Sequence, residues 1–261
     1  MDLLSRIEKL TATAHHSLSP SLPSSQWAEK ARDLLDEHFF DFHLDPELLL
    51  VDFLNQDVHP QATFPSLGFS HHPVTLYASE LFNLDLYFWL PSDTLPHDHG
   101  FHGAFMPLWG DYAQTIYEFK EEQDLGEGVV TGVLKAGEAK LLPNNKAHTI
   151  LHAPKFIHAV LHESFCVTIV LRSKNQGEVL SDYYSHFKIK NLPSEIQKAQ
   201  ADWQRLDLLT HLQSEQIPQR LKSVSSARLV RWVYHAGHNS RLQSWVKSEA
   251  LTRSELKSMK F

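Results

Sequence analysis

The sequence contains very little cysteine. Cys166 is the one cysteine among 261 residues, so the chain has no pair for an internal disulfide and no set of thiolates for a metal site. This composition is typical of proteins from a reducing compartment. We therefore expect a cytoplasmic protein.

Positive charge and long apolar runs are also scarce. The chain has 24 Lys and Arg against 31 Asp and Glu, a formal net charge of -7. Because nucleic-acid binding depends on clustered basic side chains, we exclude a nucleic acid as the main ligand. No stretch reaches the ~20 apolar residues of a membrane-spanning helix, and residues 1–10 lack the apolar run of a signal peptide. Membrane insertion and secretion are not expected.

Histidine, by contrast, is abundant. The chain has 18 histidines, and seven of them crowd the stretch from residue 97 to residue 162. Imidazole is the side chain most suited to metal binding and to proton transfer near neutral pH. This crowding is the first indication of a functional site.

The first 55 residues follow a helical pattern. Apolar residues recur every three or four positions in residues 3–10 and, after a loop, in residues 27–35. Asp45, Pro46 and Glu47 predict the N-cap, first helical position and acidic first turn of a short helix that ends near Leu54. We expect residues 1–75 to form a helical extension that packs on the following domain.

From residue 81 the pattern changes to an alternation, in which Leu84, Leu86 and Phe88 alternate with Asp85 and Tyr87. Further strands are predicted at residues 104–109, 114–119, 129–134, 138–142, 147–151, 156–162 and 165–172, with turns at residues 110–111, 126–128, 137, 143–145 and 153–154. Short strands with regular turns predict an antiparallel sandwich or barrel, here over residues 76–190.

Helix periodicity returns after Pro193. Apolar positions recur in Ile196, Ala199, Trp203, Leu206 and Leu209, and again in Leu229, Trp232 and Val233. We expect residues 191–261 to form a C-terminal helical extension. Its apolar faces suit packing within the fold or the interface of a homodimer.

Two histidines follow the alternating strand at the spacing of a metal site. Residues 95–100 read Leu-Pro-His-Asp-His-Gly and place His97 and His99 two residues apart. Alternate residues of a strand point to the same face. If that face lines a barrel, the two Nε2 atoms converge on one ion, such as iron, copper, zinc or nickel. We therefore predict that His97 and His99 are metal ligands.

This segment resembles the first motif of the cupin family, in which HxH is followed by Glu and then Gly. His97, His99 and Gly110 fit that frame, whereas Gly103 stands in the position of the glutamate. Thiol dioxygenases also lack the glutamate and bind their metal with three histidines. Residues 97–103 are similar to the corresponding run of cysteamine dioxygenases and plant N-terminal-cysteine oxidases, with one residue fewer before the final His-Gly. The resemblance covers roughly residues 76–184.

The resemblance implies a mainly β fold, a cupin (jelly-roll) β-barrel with N- and C-terminal α-helical additions. Two frames compete for the third ligand. Gly137, Pro143, Asn145 and His148 match the second cupin motif, with Asn in place of a turn glycine. In the other frame, residues 153–160 form the turn and the ligand strand, which makes His158 the ligand. One hairpin strand follows the last histidine in thiol dioxygenases, so the resemblance favours His158 and leaves His148 as the alternative.

The function implied is that of a mononuclear non-haem iron(II) dioxygenase, which oxidises a small thiol to a sulfinic acid with O2. Three neutral histidines leave coordination positions open for a thiolate and for dioxygen. The alternatives are a cupin oxygenase that acts on a chelating molecule without a thiol, and a metal-binding cupin without catalytic activity.

Further residues are candidates for the reaction. Tyr183 lies in an Asp-Tyr-Tyr sequence that resembles the late tyrosine pair of cysteamine dioxygenases, which implies a hydrogen bond to substrate or oxygen; its alternative role is to cap the barrel. His102 is either a donor that orients a ligand or an exposed loop residue. No arginine precedes His97 at the position that binds the carboxylate in cysteine dioxygenases, so free cysteine is disfavoured. Arg172 is the one residue able to replace it.

Overall fold

The computed structural model describes residues 3–54, 70, 72–174, 180–192, 195–196, 198–199, 202, 217–235 and 240–257. The chain divides into two compact units. The first comprises Met1–Tyr117 and Ala136–Glu178, and the second comprises Glu118–Lys135 and Val179–Phe261. The domain boundaries expected at residues 75 and 190 remain predictions.

Three helices begin the first unit: α1 (Leu3–Ser17), α2 (Ser24–Phe39) and α3 (Pro46–Leu54). In α1 the buried apolar residues Ile7, Leu10 and Ala14 recur at helical spacing. The start of α3 is as predicted, because the Asp45 carboxylate accepts a hydrogen bond from the Leu48 N–H at 3.0 Å. This N-cap satisfies a backbone donor that the helix itself leaves unpaired.

Among the described residues, eleven strands follow in chain order. They are β1 (His72–Ala78), β2 (Phe82–Trp89), β3 (Ser92–Asp93), β4 (Gly103–Trp109), β5 (Tyr112–Gly126), β6 (Val129–Leu142), β7 (His148–Ile150), β8 (Ile157–His162), β9 (Cys166–Ser173), β10 (Ser181–Tyr184) and β11 (Phe187–Lys190). All the paired strands are antiparallel.

The strand order of the first unit is that of a jelly roll. One sheet has the order β1-β2-β9-β4-β7, and the other includes β3, β8, β5 and β6 as successive neighbours. From β2 to β9 the chain therefore crosses between the sheets at every connection except the β5–β6 hairpin. The expectation of a mainly β fold with helices at both ends is confirmed. In the part of the chain that the structure describes, the strands form two sheets and do not close into one barrel.

The sheet that contains β2 and β9 is buried on both faces. Leu84, Leu86 and Ile169 belong to a core that includes α1 and α2. The alternate residues Tyr87 and Val170 belong to a second core, which also contains residues of β5 and β8 from the other sheet. A helix layer on one face and a second sheet on the other explain why β2 and β9 are buried throughout.

The turns predicted from the sequence agree with the structure, with one exception. Gly110, Gly126 and Asn145 adopt φ values of 86°, 81° and 59°, which is the left-handed region that turn glycine and asparagine tolerate. The turn expected at Gly137 is wrong, because Gly137 lies inside β6, which joins the strands predicted at 129–134 and 138–142. A Cβ at Gly137 would lie 3.0 Å from the Ile116 carbonyl oxygen, so this glycine permits close approach of β5 and β6.

The second unit has its own core. Its described helices are α4 (Ile217–Lys222), α5 (Ser226–His235) and α6 (Ser240–Thr252), followed by a 3₁₀ helix (Ser254–Leu256). Leu229 and Trp232 are buried there, as their spacing predicts, together with Ala199. Trp203, Leu206 and Leu209 lie outside the described residues. Among the helices of the described ranges, none combines the length and apolar content needed to cross a membrane.

Candidate metal centre

Three histidines converge between the two sheets. His97, His99 and His158 are buried, and their potential ligand atoms all lie within 4.8 Å of one another. The Nε2 atoms of His99 and His158 are 2.9 Å apart. The structure therefore brings together the three residues expected as metal ligands.

The backbone holds these histidines in register. The His97 N–H donates to the His158 carbonyl at 2.9 Å, and the His158 N–H donates to the His97 carbonyl at 3.0 Å. The Ala153 N–H donates to the His99 carbonyl at 2.9 Å. His97 forms only an isolated bridge and residues 98–102 lie outside any strand, so these hydrogen bonds replace the continuous strand that the HxH spacing suggested.

Hydrogen bonds also orient two of the imidazole rings. Nδ1 of His97 lies 2.8 Å from the Leu95 carbonyl oxygen, which can only accept. Nδ1 therefore carries the proton, and Nε2 of the neutral ring has its lone pair available for a metal. The Gln114 amide nitrogen donates to Nδ1 of His158 at 2.7 Å, which places the proton of this neutral ring on Nε2. A half-turn of the amide would present its oxygen to Nδ1–H and leave Nε2 for a metal.

Burial keeps the cluster neutral. Loss of hydration lowers the pKa of His99 well below its usual value, and the nearby His97 lowers it further. The pKa of His158 is lowered in the same way, first by burial and then by His97 and His99. Neutral imidazoles are the form that binds metals.

The cluster fits a divalent ion. Two nitrogens bound to one ion at about 2.1 Å lie about 3.0 Å apart for a bond angle of 90° and about 3.4 Å apart for a tetrahedral angle. The 2.9 Å between the Nε2 atoms of His99 and His158 is short enough for both nitrogens to bind one ion. Bound nitrogens are at most about 4.2 Å apart at this bond length, and the ligand atoms of the three histidines lie within 4.8 Å of one another, so the cluster approaches the spacing that one ion requires.

His148 lies outside this cluster. It pairs with Phe105 in the register of β7 and β4, and the two ring centroids are 5.5 Å apart. Burial lowers the pKa of His148, as does the positive charge of Lys146. The frame that names His158 as the third histidine therefore agrees with the arrangement of side chains. Asn145 adopts the positive φ expected of the turn in the second cupin motif. His148, the histidine of that motif, is nevertheless not among the three that converge.

The two other candidate residues do not line the cavity beside the histidines. His102 is buried against Trp27 of α2, with ring centroids 5.0 Å apart, and burial lowers its pKa. It is thus not an exposed loop residue. Tyr183 belongs to the second unit, where it is buried and packs edge-on against Phe119. Their roles in the reaction remain predictions.

Another histidine of this region, His162, and the cysteine contribute to packing. His162 is stacked on Trp89, with ring centroids 4.8 Å apart, and contacts the edge of Tyr112. Cys166 is buried and its thiol donates to the Asp111 carbonyl at 2.9 Å. Burial raises the pKa of this thiol, so it remains protonated at neutral pH and serves as a small core residue.

A small cavity of about 30 Å³, partly open to solvent, adjoins the three histidines. Its other walls are largely aromatic: Tyr87, Trp89, Phe101, Phe105 and Tyr112. Aliphatic residues and one threonine complete them: Ile150, Val160, Val170 and Thr168. Among the described residues that line the cavity, none is an acid, a lysine or an arginine.

A buried ion pair lies behind this wall. Nε of Arg172 donates to the Asp85 carboxylate at 2.6 Å, and both side chains are almost fully buried. The Thr75 hydroxyl donates to the other carboxylate oxygen at 2.7 Å, and the Tyr87 hydroxyl lies 3.4 Å from the first. The Arg172 guanidinium also lies 5.6 Å from the centre of the Phe101 ring. Arg172 is therefore engaged by a carboxylate of the protein itself.

Sequence reasoning missed two buried polar residues around the site. Gln114 is one, and its signal was a polar side chain two positions after Tyr112, on the same face of β5 as that buried aromatic residue. Asp85 is the other, and its signal was a carboxylate in the middle of an apolar strand. Only the pairing of distant strands shows that Gln114 reaches His158 and that Asp85 reaches Arg172.

No protein family and no curated protein matches the sequence. Among solved structures, a cupin-2 domain protein of Shewanella frigidimarina has a TM-score of 0.30 and 10% identity, and the match covers 48% of this chain and 92% of that one. An RmlC-like cupin of the same organism has a TM-score of 0.31 and 10% identity over 47% and 96% of the two chains. An oxalate oxidase in complex with glycolate has a TM-score of 0.27 and 15% identity over 38% and 44%.

Proposed function

We propose that this protein is a mononuclear non-haem iron(II) dioxygenase that oxidises a small thiol without an α-carboxylate to a sulfinic acid. The observation that supports it most is the convergence of His97, His99 and His158 on one point, with no carboxylate among the described residues that line the adjoining cavity. Iron oxygenases that use 2-oxoglutarate rely on two histidines and a carboxylate. A neutral ligand set suits a thiolate substrate instead.

The proposed reaction needs no further reductant. A thiol and O2 give a sulfinic acid: the O–O bond breaks, two S–O bonds form, and sulfur supplies the four electrons that O2 takes up. Bound iron(II) would lower the pKa of the thiol and activate oxygen. His97, His99 and His158 would hold the iron, and Gln114 and the Leu95 carbonyl would keep two of the rings aligned.

The absence of a carboxylate from the substrate is supported by the charges around the cavity. A carboxylate that enters a protein cavity loses its hydration and needs a positioned cation in compensation. Arg172 is the nearest candidate from the sequence, and its guanidinium already pairs with Asp85 at 2.6 Å. Free cysteine is therefore a poor substrate.

The test combines metal analysis with oxygen consumption. We expect protein purified without added metal to retain iron, and iron-loaded protein to consume O2 with cysteamine at a kcat/KM about tenfold or more above that for cysteine, which corresponds to about 1.4 kcal/mol. The control is Arg172→Ala. A preference for cysteine that this substitution removes would identify Arg172 as a carboxylate clamp and contradict the proposal.

Two further outcomes would contradict the proposed activity. Oxygen consumption with a chelating dione or enol, and with no thiol, would identify a cupin oxygenase of another substrate class. Retention of iron without oxygen consumption on any substrate would identify a metal-binding protein without turnover.

A further inference from the structure

The cavity beside the histidines offers a ligand almost no free polar group. Thr168 is the one hydroxyl-bearing aliphatic residue of the wall, and its oxygen accepts from the Trp89 Nε1–H at 3.1 Å. The Tyr87 hydroxyl points to the buried Asp85 carboxylate. These two groups are engaged within the wall. Apart from the histidines and the Tyr112 hydroxyl, the surface that a ligand meets consists mainly of rings and methyl groups.

The cavity also lacks a compensating charge. No acid, lysine or arginine is among the described residues that line it, and Asp85 and Arg172 behind the wall neutralise each other in a buried pair. A carboxylate or an ammonium group on a ligand would lose its hydration shell without gaining an ion pair. Attraction between an ammonium and the ring faces recovers only part of that loss, whereas each buried methylene gains roughly fourfold in affinity.

We propose that this cavity binds small thiols whose body is an uncharged alkyl group, with the sulfur toward the three histidines. That the ligand is a thiol rests on the proposed function, whereas the preference for an uncharged body follows from the cavity walls alone. The cavity thus selects against both the carboxylate of amino-acid thiols and the ammonium of amino thiols.

Three thiols with the same two-carbon spacer test the proposal: 1-propanethiol, cysteamine and 3-mercaptopropionate. They end in a methyl, an ammonium and a carboxylate group. We expect cobalt(II)-loaded protein, titrated without oxygen and followed by the thiolate-to-cobalt absorption band, to bind 1-propanethiol about tenfold or more tightly than either charged thiol. The same order is expected in metal-free protein followed by NMR chemical shifts, because the walls impose it.

A pair of neighbouring substitutions localises the effect. Val160 lines the cavity, whereas Leu161 on the same strand is 43% exposed. Val160→Thr keeps the shape and adds a hydroxyl, and we expect it to weaken 1-propanethiol binding severalfold. Leu161→Thr should leave that binding unchanged. Equal effects of the two substitutions would overturn the assignment of the binding site.

The order of affinities decides the proposal. Tighter binding of cysteamine would show that the rings bind cations, and tighter binding of 3-mercaptopropionate would show that a cation reaches the ligand; either result overturns it, as does the absence of binding by all three thiols. Failure of the proposed function is recognised separately, as no oxygen consumption by iron-loaded protein while the order of affinities holds.

Discussion

At the scale of single residues, the candidate site depends on which histidine completes the group. His148 and His158 both lie on strands and both contact Phe105. His158 differs because its backbone exchanges two hydrogen bonds with His97. A shift of one residue in a strand turns every side chain to the other face, so this pairing determines which imidazole reaches the other two.

Substitution of the two histidines distinguishes their roles. His158→Ala should abolish metal retention, as should His97→Ala and His99→Ala, because each removes one of three ligands. His148→Ala is the matched control and should retain metal at the wild-type level. Metal content of the purified variants, measured by mass spectrometry alongside their circular dichroism, provides the check. Full metal occupancy in His158→Ala would transfer the assignment to His148.

At the scale of elements, α2 supports the loop that leads into β7. The Asp36 carboxylate accepts from the Ala147 N–H at 2.8 Å, and the Asn145 amide donates to the Phe42 carbonyl at 3.0 Å. The sequence predicts each element from its own periodicity, whereas these contacts join residues more than 100 positions apart. They show that the N-terminal helices are part of the first unit's packing.

The contribution of this contact can be measured with two aspartates of α2. Asp36→Ala leaves the buried Ala147 N–H without its acceptor and should lower the free energy of unfolding by about 1–3 kcal/mol. Asp33 is exposed and pairs with its neighbour Arg32, so Asp33→Ala should leave stability unchanged. Urea denaturation of both variants gives the comparison. The same midpoint for both would mean that the loop contact contributes nothing.

At the scale of the whole molecule, the three histidines and the cavity belong to the first unit, and each unit has its own core. Tyr183 is the one candidate site residue in the second unit. The hydrogen bond to substrate or oxygen that the family resemblance implies requires the Tyr183 hydroxyl, whereas the contact with Phe119 requires only the ring. Removal of the hydroxyl therefore separates the two roles.

If Tyr183 has the predicted role, Tyr183→Phe should slow thiol oxidation by about fivefold, the value of one hydrogen bond of ~1 kcal/mol. Metal content should not change, because the hydroxyl is not a ligand. Oxygen consumption with cysteamine at saturating and limiting concentrations measures the effect. An unchanged rate would leave packing against Phe119 as the function of this residue.

The sequence by itself determined the features that depend on neighbouring residues. The period of two in β2, the N-cap at Asp45, the left-handed turn residues Gly110 and Asn145 and the pairing of His97 with His99 are all local. Their physical causes act within a few residues, through backbone sterics and side-chain direction. This is why the mainly β fold, its flanking helices and two of the three grouped histidines follow from the sequence.

Only the tertiary structure decided what depends on distant pairings. The alternation in β2 separates two faces, but the sequence does not tell that Leu84 and Leu86 meet the helices while Tyr87 and Trp89 meet the cavity. The choice of His158 likewise depends on strand register. The ion pair between Arg172 of β9 and Asp85 of β2 also depends on it. These contacts join residues far apart in the chain, so interactions between sequence neighbours do not specify them. They form together when the two sheets and the helix layer pack against one another.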